Sequence, residues 1–142
     1  MNAFVGRSKV AAYHTVSVHG AVHEADPHTL VLMLMSAVKE RIATARGCIE
    51  RHETAHKARL LHSCVTLIAE LQGTLNMSDG REVAQNLSAL YDYMIRQLLL
   101  GNAADNMACL TEVEHLLGEL RSAWIAIGPE VRQPRPSAAN AA

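Results

Sequence analysis

The chain has 142 residues, enough for one domain and short of two. Apolar residues make up 49% but aromatics only 4%, so the core must come from Leu, Ala, Val, Ile and Met, a mix that suits helices and argues against a β-sandwich. The net charge is −1 and basic residues are dispersed among acids, so nothing favours a nucleic acid or an anionic membrane as partner.

Taken in order, the N-terminal stretch MNAFVGRSKVAAYHTV lacks the continuous apolar run of a signal peptide, and Val10, Tyr13 and Val16 share one face of a turn. Residues 1–26 are too short for a domain but long enough to lie across one as a lid. Asp26-Pro27 then opens the first long helix, with Asp suited to the N-cap and Pro to the first helical position. This helix is expected to reach Ile49, with Leu30, Leu34, Ala37, Val38, Ile42, Ala45 and Cys48 on one face. Its longest apolar run, Leu30 to Met35, is far short of a membrane span.

A second helix starts near Glu53 and carries Leu60, Leu61, Cys64, Leu67, Ile68, Leu71 and Leu75. After the loop Asn76 to Gly80, Asp79 and Glu82 resemble a capping box for a third helix ending at Gly101-Asn102. Asp105 is expected to cap the fourth, whose stripe is Leu110, Val113, Leu116, Leu117, Leu120, Trp124 and Ile127, and Gly128-Pro129 stops it. Residues 27–128 therefore read as an all-α, antiparallel up-down four-helix bundle with a short N-terminal lid, and residues 129–142 as a disordered tail. Cys48, Cys64 and Cys109 each fall inside a helical pattern and read as reduced, buried thiols of a cytoplasmic protein.

Two constellations suggest metal chemistry. His52-Glu53-Thr54-Ala55-His56 is an HExxH, the zinc-binding motif of metalloproteases, but it sits at a polar helix start among Glu50, Arg51, Lys57 and Arg59. Glu40, Glu53-x-x-His56, Glu82 and Glu112-x-x-His115 reproduce the ligand order of a di-iron bundle. Bundle depth opposes it, since Glu53 and Glu82 would lie at opposite poles, roughly 28 Å apart at 1.5 Å per residue. His19 and His23 form a further i, i+4 pair in a segment without clear structure. With no phosphate loop and no nucleophile elbow, the expectation is no catalytic residue, no metal and no cofactor.

The third helix has apolar surface in excess. Val83, Leu87, Leu90, Tyr91, Met94 and Leu98 line one face, Ala84, Ile95 and Leu99 widen it on one side, and Tyr93 and Leu100 on the other. The arc spans roughly 240°, where one core needs about 100°. In the first helix Leu32, Met33 and Met35 point away from the stripe, and in an up-down bundle this surplus gathers at one pole with Tyr91, Tyr93, Met94 and Trp124. Methionine-rich surfaces adapt to peptides. The surplus fits either a partner groove or a surface covered permanently by the N-terminal segment or by a second copy in a homodimer.

Val83-Ala84-Gln85-Asn86-Leu87, Leu90-Tyr91-Asp92-Tyr93-Met94, Gly101-Asn102, Leu116-Leu117 and Trp124 together resemble the flagellin-specific secretion chaperone family, FliS. Tyr13, Pro27, Leu30, Leu34, Ile68-Ala69-Glu70-Leu71 and Leu75 fit the same pattern upstream. The resemblance implies a non-enzymatic helical bundle in the bacterial cytoplasm that binds the disordered C-terminal segment of flagellin, blocks its premature polymerisation, and carries it to the cytosolic part of the flagellar export gate. It further implies that Tyr13 covers the groove until client arrives. On that basis Met33, Met35, Leu90, Tyr91 and Met94 are expected to supply apolar contacts, and Asn86 and Tyr93 side-chain hydrogen bonds; Leu90 and Met94 serve equally as core, and Trp124 reads mainly as core. The chain departs from the family at Met35, where an aromatic is usual, at Ser63 or Cys64, usually Ala, and at His14 and Thr15, often Gln. A helical adaptor for another client is the alternative.

Overall fold

The computed structural model describes residues 26–128. These hold four α-helices and no strand: α1 (Pro27–Glu50), α2 (Thr54–Gly73), α3 (Met77–Ala104) and α4 (Met107–Ile127). The described residues divide into two units, one of Leu34–Ala123 and a smaller one of 26–33 with 124–128. The lid segment before Asp26 and the tail over 129–142 lie outside the described residues.

Within the smaller unit, Asp26 caps α1 as expected. Its Oδ1 accepts the Thr29 N–H at 2.7 Å, and this bond holds the carboxyl below its ordinary range. The cap therefore helps above the ordinary carboxyl pKa and fades as pH falls through the lowered value. Trp124 stacks on His28 with ring centroids 5.6 Å apart and donates its Nε1–H to the His28 carbonyl at 3.1 Å. Gly128, at φ 80°, follows the last turn of α4, where a left-handed residue suits glycine.

In the larger unit the cross-links define an antiparallel ring. The Cys64 thiol donates to the Val38 carbonyl at 3.7 Å, joining α2 to α1. Arg46 pairs with Glu114 at 2.6 Å, and Arg121 Nε donates to Ser36 Oγ at 2.9 Å, so α1 and α4 run in opposite directions. Gln72 Nε2 ties the end of α2 to Ser88 and Asp92 near the start of α3, while Lys57 at the start of α2 reaches Asn102 and Asp105 at the end of α3. The core between them is aliphatic: Leu34, Val38, Ile42, Leu61, Ile68, Leu71, Leu98, Leu110, Val113 and Leu117 are each at most 1% exposed. Cys48, Cys64 and Cys109 are free and buried, and burial pushes the Cys64 thiol up to about 12.

Three sequence expectations change at helix ends. The N-cap of α3 is Asn76, whose side chain accepts the Asp79 N–H at 3.1 Å, and not Asp79. Its first turn then breaks at Arg81, with φ 51° and ψ −127°, a conformation that costs a non-glycine residue about 1–3 kcal/mol. Asp105 does not cap α4: it ends α3 in the left-handed conformation, and Asn106 caps α4 by accepting the Ala108 and Cys109 N–H groups. Gly101 does not end α3 either. It is buried three residues before the end, because a Cβ there would lie 2.8 Å from Leu110 Cδ2 and 3.3 Å from the Asn106 carbonyl oxygen.

Two substitutions separate these roles. Gly101→Ala is expected to lower stability by about 1–2 kcal/mol, because overpacking outweighs the helix-propensity gain. Gly73→Ala, where a Cβ meets nothing within 4 Å, should raise it by about 0.5 kcal/mol; urea unfolding of both variants reads the opposite signs. Lys57, 4% exposed, donates to the Asn102 carbonyl at 2.7 Å and to Asp105, satisfying the C-terminal end of α3. Lys57→Met should cost about 1.5–3 kcal/mol in the same assay, and Asp105→Asn, at an exposed partner, clearly less.

Candidate functional site

At 100° per residue the buried residues of α3 (Ala84, Tyr91, Met94, Leu98 and Gly101) span only about 100°, whereas Leu34, Met35, Val38, Ile42, Ala45 and Cys48 of α1 span about 140°. The helix with the widest apolar face thus buries the narrower arc, and its two flanks differ. One turns toward α2 and carries Ser88 and Asp92, both held by Gln72. The other turns toward α4, where Tyr93 Oη donates to Glu112 Oε1 at 2.7 Å and Gln97 Nε2 donates to the same oxygen at 2.8 Å.

On the α4-facing flank, helical spacing aligns Val83, Asn86, Leu90, Tyr93 and Leu100. Val83 is 68% and Leu100 50% exposed; Asn86 is exposed, and Leu90 and Tyr93 are half-buried. From Val83 to Leu100 the strip runs about 25 Å, the length of a helix of four to five turns. Glu112 anchors the Tyr93 ring and its hydrogen bond pushes the hydroxyl pKa up, while the Arg96 guanidinium sits 6.0 Å from the ring centroid. A ring already fixed at its tip loses little freedom when another chain packs on its face.

The residues singled out from the sequence divide. Asn86, Leu90 and Tyr93 lie together on this flank. Met35, Tyr91 and Met94 are 1%, 3% and 0% exposed, inside the closed bundle. Met35 does not point away from the core as the stripe suggests; α1 has neighbours on two sides, α2 and α4, so its buried arc reaches that residue. Burial also pushes the Tyr91 hydroxyl up to about 12. Met33 is half-buried and belongs to the smaller unit, and Tyr13 lies outside the described residues. Sequence reading placed Val83 on the core face, whereas it is among the most exposed large apolar residues described; the break at Arg81 puts it in the first turn of the main helix.

The HExxH does not form a zincin face. His52 sits in a turn at φ 59°, Glu53 is the N-cap of α2, and His56 is in its first turn, all exposed. Of the di-iron ligand order, Glu53 lies beside the Lys57 end of the bundle and Glu82 beside the Gln72 end, Glu112 serves Tyr93, and His115 pairs with Glu119 at 3.1 Å in the open. A shallow, open groove between α1 and α4, about 620 Å³, is lined by Lys39, Thr111, Glu114, His115, Gly118 and Ser122 among others.

The family model described as flagellar protein FliS matches residues 9–131. The flagellar secretion chaperone FliSB of Pseudomonas aeruginosa is 38% identical over 115 residues, covering 81% of this chain and 91% of that protein. The flagellar secretion chaperone FliS of Salmonella typhimurium is 38% identical over 124 residues, covering 87% and 92%. That of Bacillus subtilis is 32% identical over 111 residues, covering 78% and 82%. With its four-helix architecture and a match over most of its length, the chain belongs to the FliS family of flagellar proteins.

Proposed function

We propose that this chain is a cytoplasmic export chaperone for flagellin, which binds the disordered C-terminal segment of that client, keeps it from polymerising early, and delivers it to the cytosolic part of the flagellar export gate. The supporting observation is the exposed apolar strip on α3, Val83 to Leu100, in a protein whose relatives are named flagellar secretion chaperones. No helix among the described residues is long and apolar enough to cross a membrane. The role asks for no bond to be made or broken, only for a surface.

A disordered segment that orders on the strip forfeits about 2–5 kcal/mol of its contact energy, which keeps binding reversible enough for handover. The segment needed for polymerisation is hidden because it is the segment bound. In this reading Val83, Leu90 and Leu100 supply apolar contact, Tyr93 presents its anchored ring, and Asn86 offers an amide to the client backbone. Tyr91 and Met94 are buried on the core side of the same helix, and they and Met35 touch client only if the bundle opens. Met33 and Tyr13 are proposed as further client contacts, Tyr13 acting as a lid that client displaces.

Immobilised chain should retain flagellin from the same bacterium and fail to retain flagellin lacking its C-terminal region. Loss of retention of full-length flagellin, or equal retention of the truncated form, contradicts the reading and favours a different client. Val83→Asp should weaken flagellin binding roughly tenfold or more, the value of one buried apolar contact of about 1.4 kcal/mol or larger, with the thermal midpoint nearly unchanged because Val83 is exposed. Calorimetric titration alongside thermal unfolding checks both parts.

A further inference from the structure

The turn between α1 and α2 brings together three groups that chain order keeps apart. Cys48, from the last turn of α1, has its Sγ 3.4 Å from His56 Nδ1. His56 Nδ1 lies 3.9 Å from Glu53 Oε1, and one ligand atom from each of the three residues falls within 4.8 Å of the others. The backbone makes this possible: His52 takes a left-handed φ of 59°, and the Glu53 N–H bonds the Cys48 carbonyl at 2.8 Å, folding α2 back over the end of α1. The sequence motif HExxH thus loses its first histidine and gains a cysteine.

We propose that Cys48 Sγ, a Glu53 carboxylate oxygen and His56 Nδ1 form a binding site for one borderline-soft divalent cation of the zinc type. With Zn–S near 2.3 Å and Zn–N near 2.0–2.1 Å, a tetrahedral ion holds its sulfur and nitrogen ligands about 3.5 Å apart, and its nitrogen and oxygen ligands about 3.3 Å apart. The first spacing is present and the second needs the Glu53 carboxylate to close by roughly half an ångström, a small rotation of an exposed side chain. Thiolate, imidazole and carboxylate together select zinc over calcium or magnesium, which prefer oxygen alone. On binding, the Cys48 thiol gives its proton to solvent and water fills the fourth position.

A cation already shares this cluster. The Arg51 guanidinium takes Glu53 with Nε at 3.1 Å and Nη2 at 3.2 Å, and the same Nη2 lies 4.0 Å from Cys48 Sγ. Arg51 is largely exposed and free to swing outward, so it competes with the ion for the same carboxylate. Bound metal would join the end of α1 to the start of α2 and raise the stability of the bundle in proportion to its concentration over its dissociation constant.

The test uses full-length, reduced, metal-free chain titrated with cobalt(II), whose thiolate charge-transfer absorption reports sulfur ligation. The band should saturate at one equivalent and be bleached by one equivalent of zinc. It should vanish in Cys48→Ser and in His56→Ala and persist in Cys109→Ser. His56 is exposed, so its variant keeps the fold, which circular dichroism verifies. Arg51→Ala should bind cobalt at least severalfold more tightly, because its competitor for Glu53 is gone. No thiolate band at excess cobalt, a band that survives His56→Ala, or weaker binding by Arg51→Ala overturns the proposal.

Discussion

A helix in a four-membered ring hides only the arc it turns to its neighbours, and α3 carries more apolar surface than its arc covers. About 100° of it is buried, around Ala84, Tyr91, Met94, Leu98 and Gly101. Beyond that arc, on the α4-facing flank, apolar residues continue, and Val83 and Leu100 are left at 68% and 50% exposure with Leu90 half-buried between them. Monomeric proteins seldom keep such a row without use, because exposed apolar strips promote association. The account of function rests on this mismatch between what the helix offers and what the core accepts.

Keeping that strip available requires that α3 neither roll nor slide, and polar ties at both ends oppose these motions. Lys57 donates to the Asn102 carbonyl and the Asp105 carboxylate at the end of α3 from a buried position, and Gln72 holds its start through Ser88 and Asp92. Gly101 lets α3 approach α4 closely enough that Leu110 packs against its backbone, and Glu112 then reaches both Tyr93 and Gln97. The ties are individually modest, a hydrogen bond being worth about 1 kcal/mol net and one to a charged group rather more. Their joint effect is geometric: they set which flank faces outward.

Much of this was legible in the chain itself. The three-and-four spacing of Leu34, Val38, Ile42, Ala45 and Cys48 marked a core face that is fully buried, and Asp26-Pro27 marked a helix start that has the expected cap bond. What failed did so for local reasons. Asp105 read as an N-cap because aspartate suits both a cap and a left-handed turn; a buried lysine on another helix, Lys57, decides between them. Gly101 read as a terminator because a sequence does not show which side chain crosses above a glycine. Val83 read as core because periodicity describes a helix without ends, whereas the break at Arg81 leaves that residue at the margin. The HExxH was visible at once, but its Cys48 partner emerges only when His52 reverses the chain.

The central claim, that the α4-facing flank of α3 receives the client, is open to direct observation by NMR of isotopically labelled chain titrated with the flagellin C-terminal segment. Amide and methyl shifts are expected to concentrate at Val83, Asn86, Leu90, Tyr93 and Leu100, with the methyls of Val38, Ile42 and Ile68 in the core little changed. Shifts gathered instead along Lys39, Thr111 and Gly118 in the α1–α4 groove, with the α3 flank undisturbed, would contradict it.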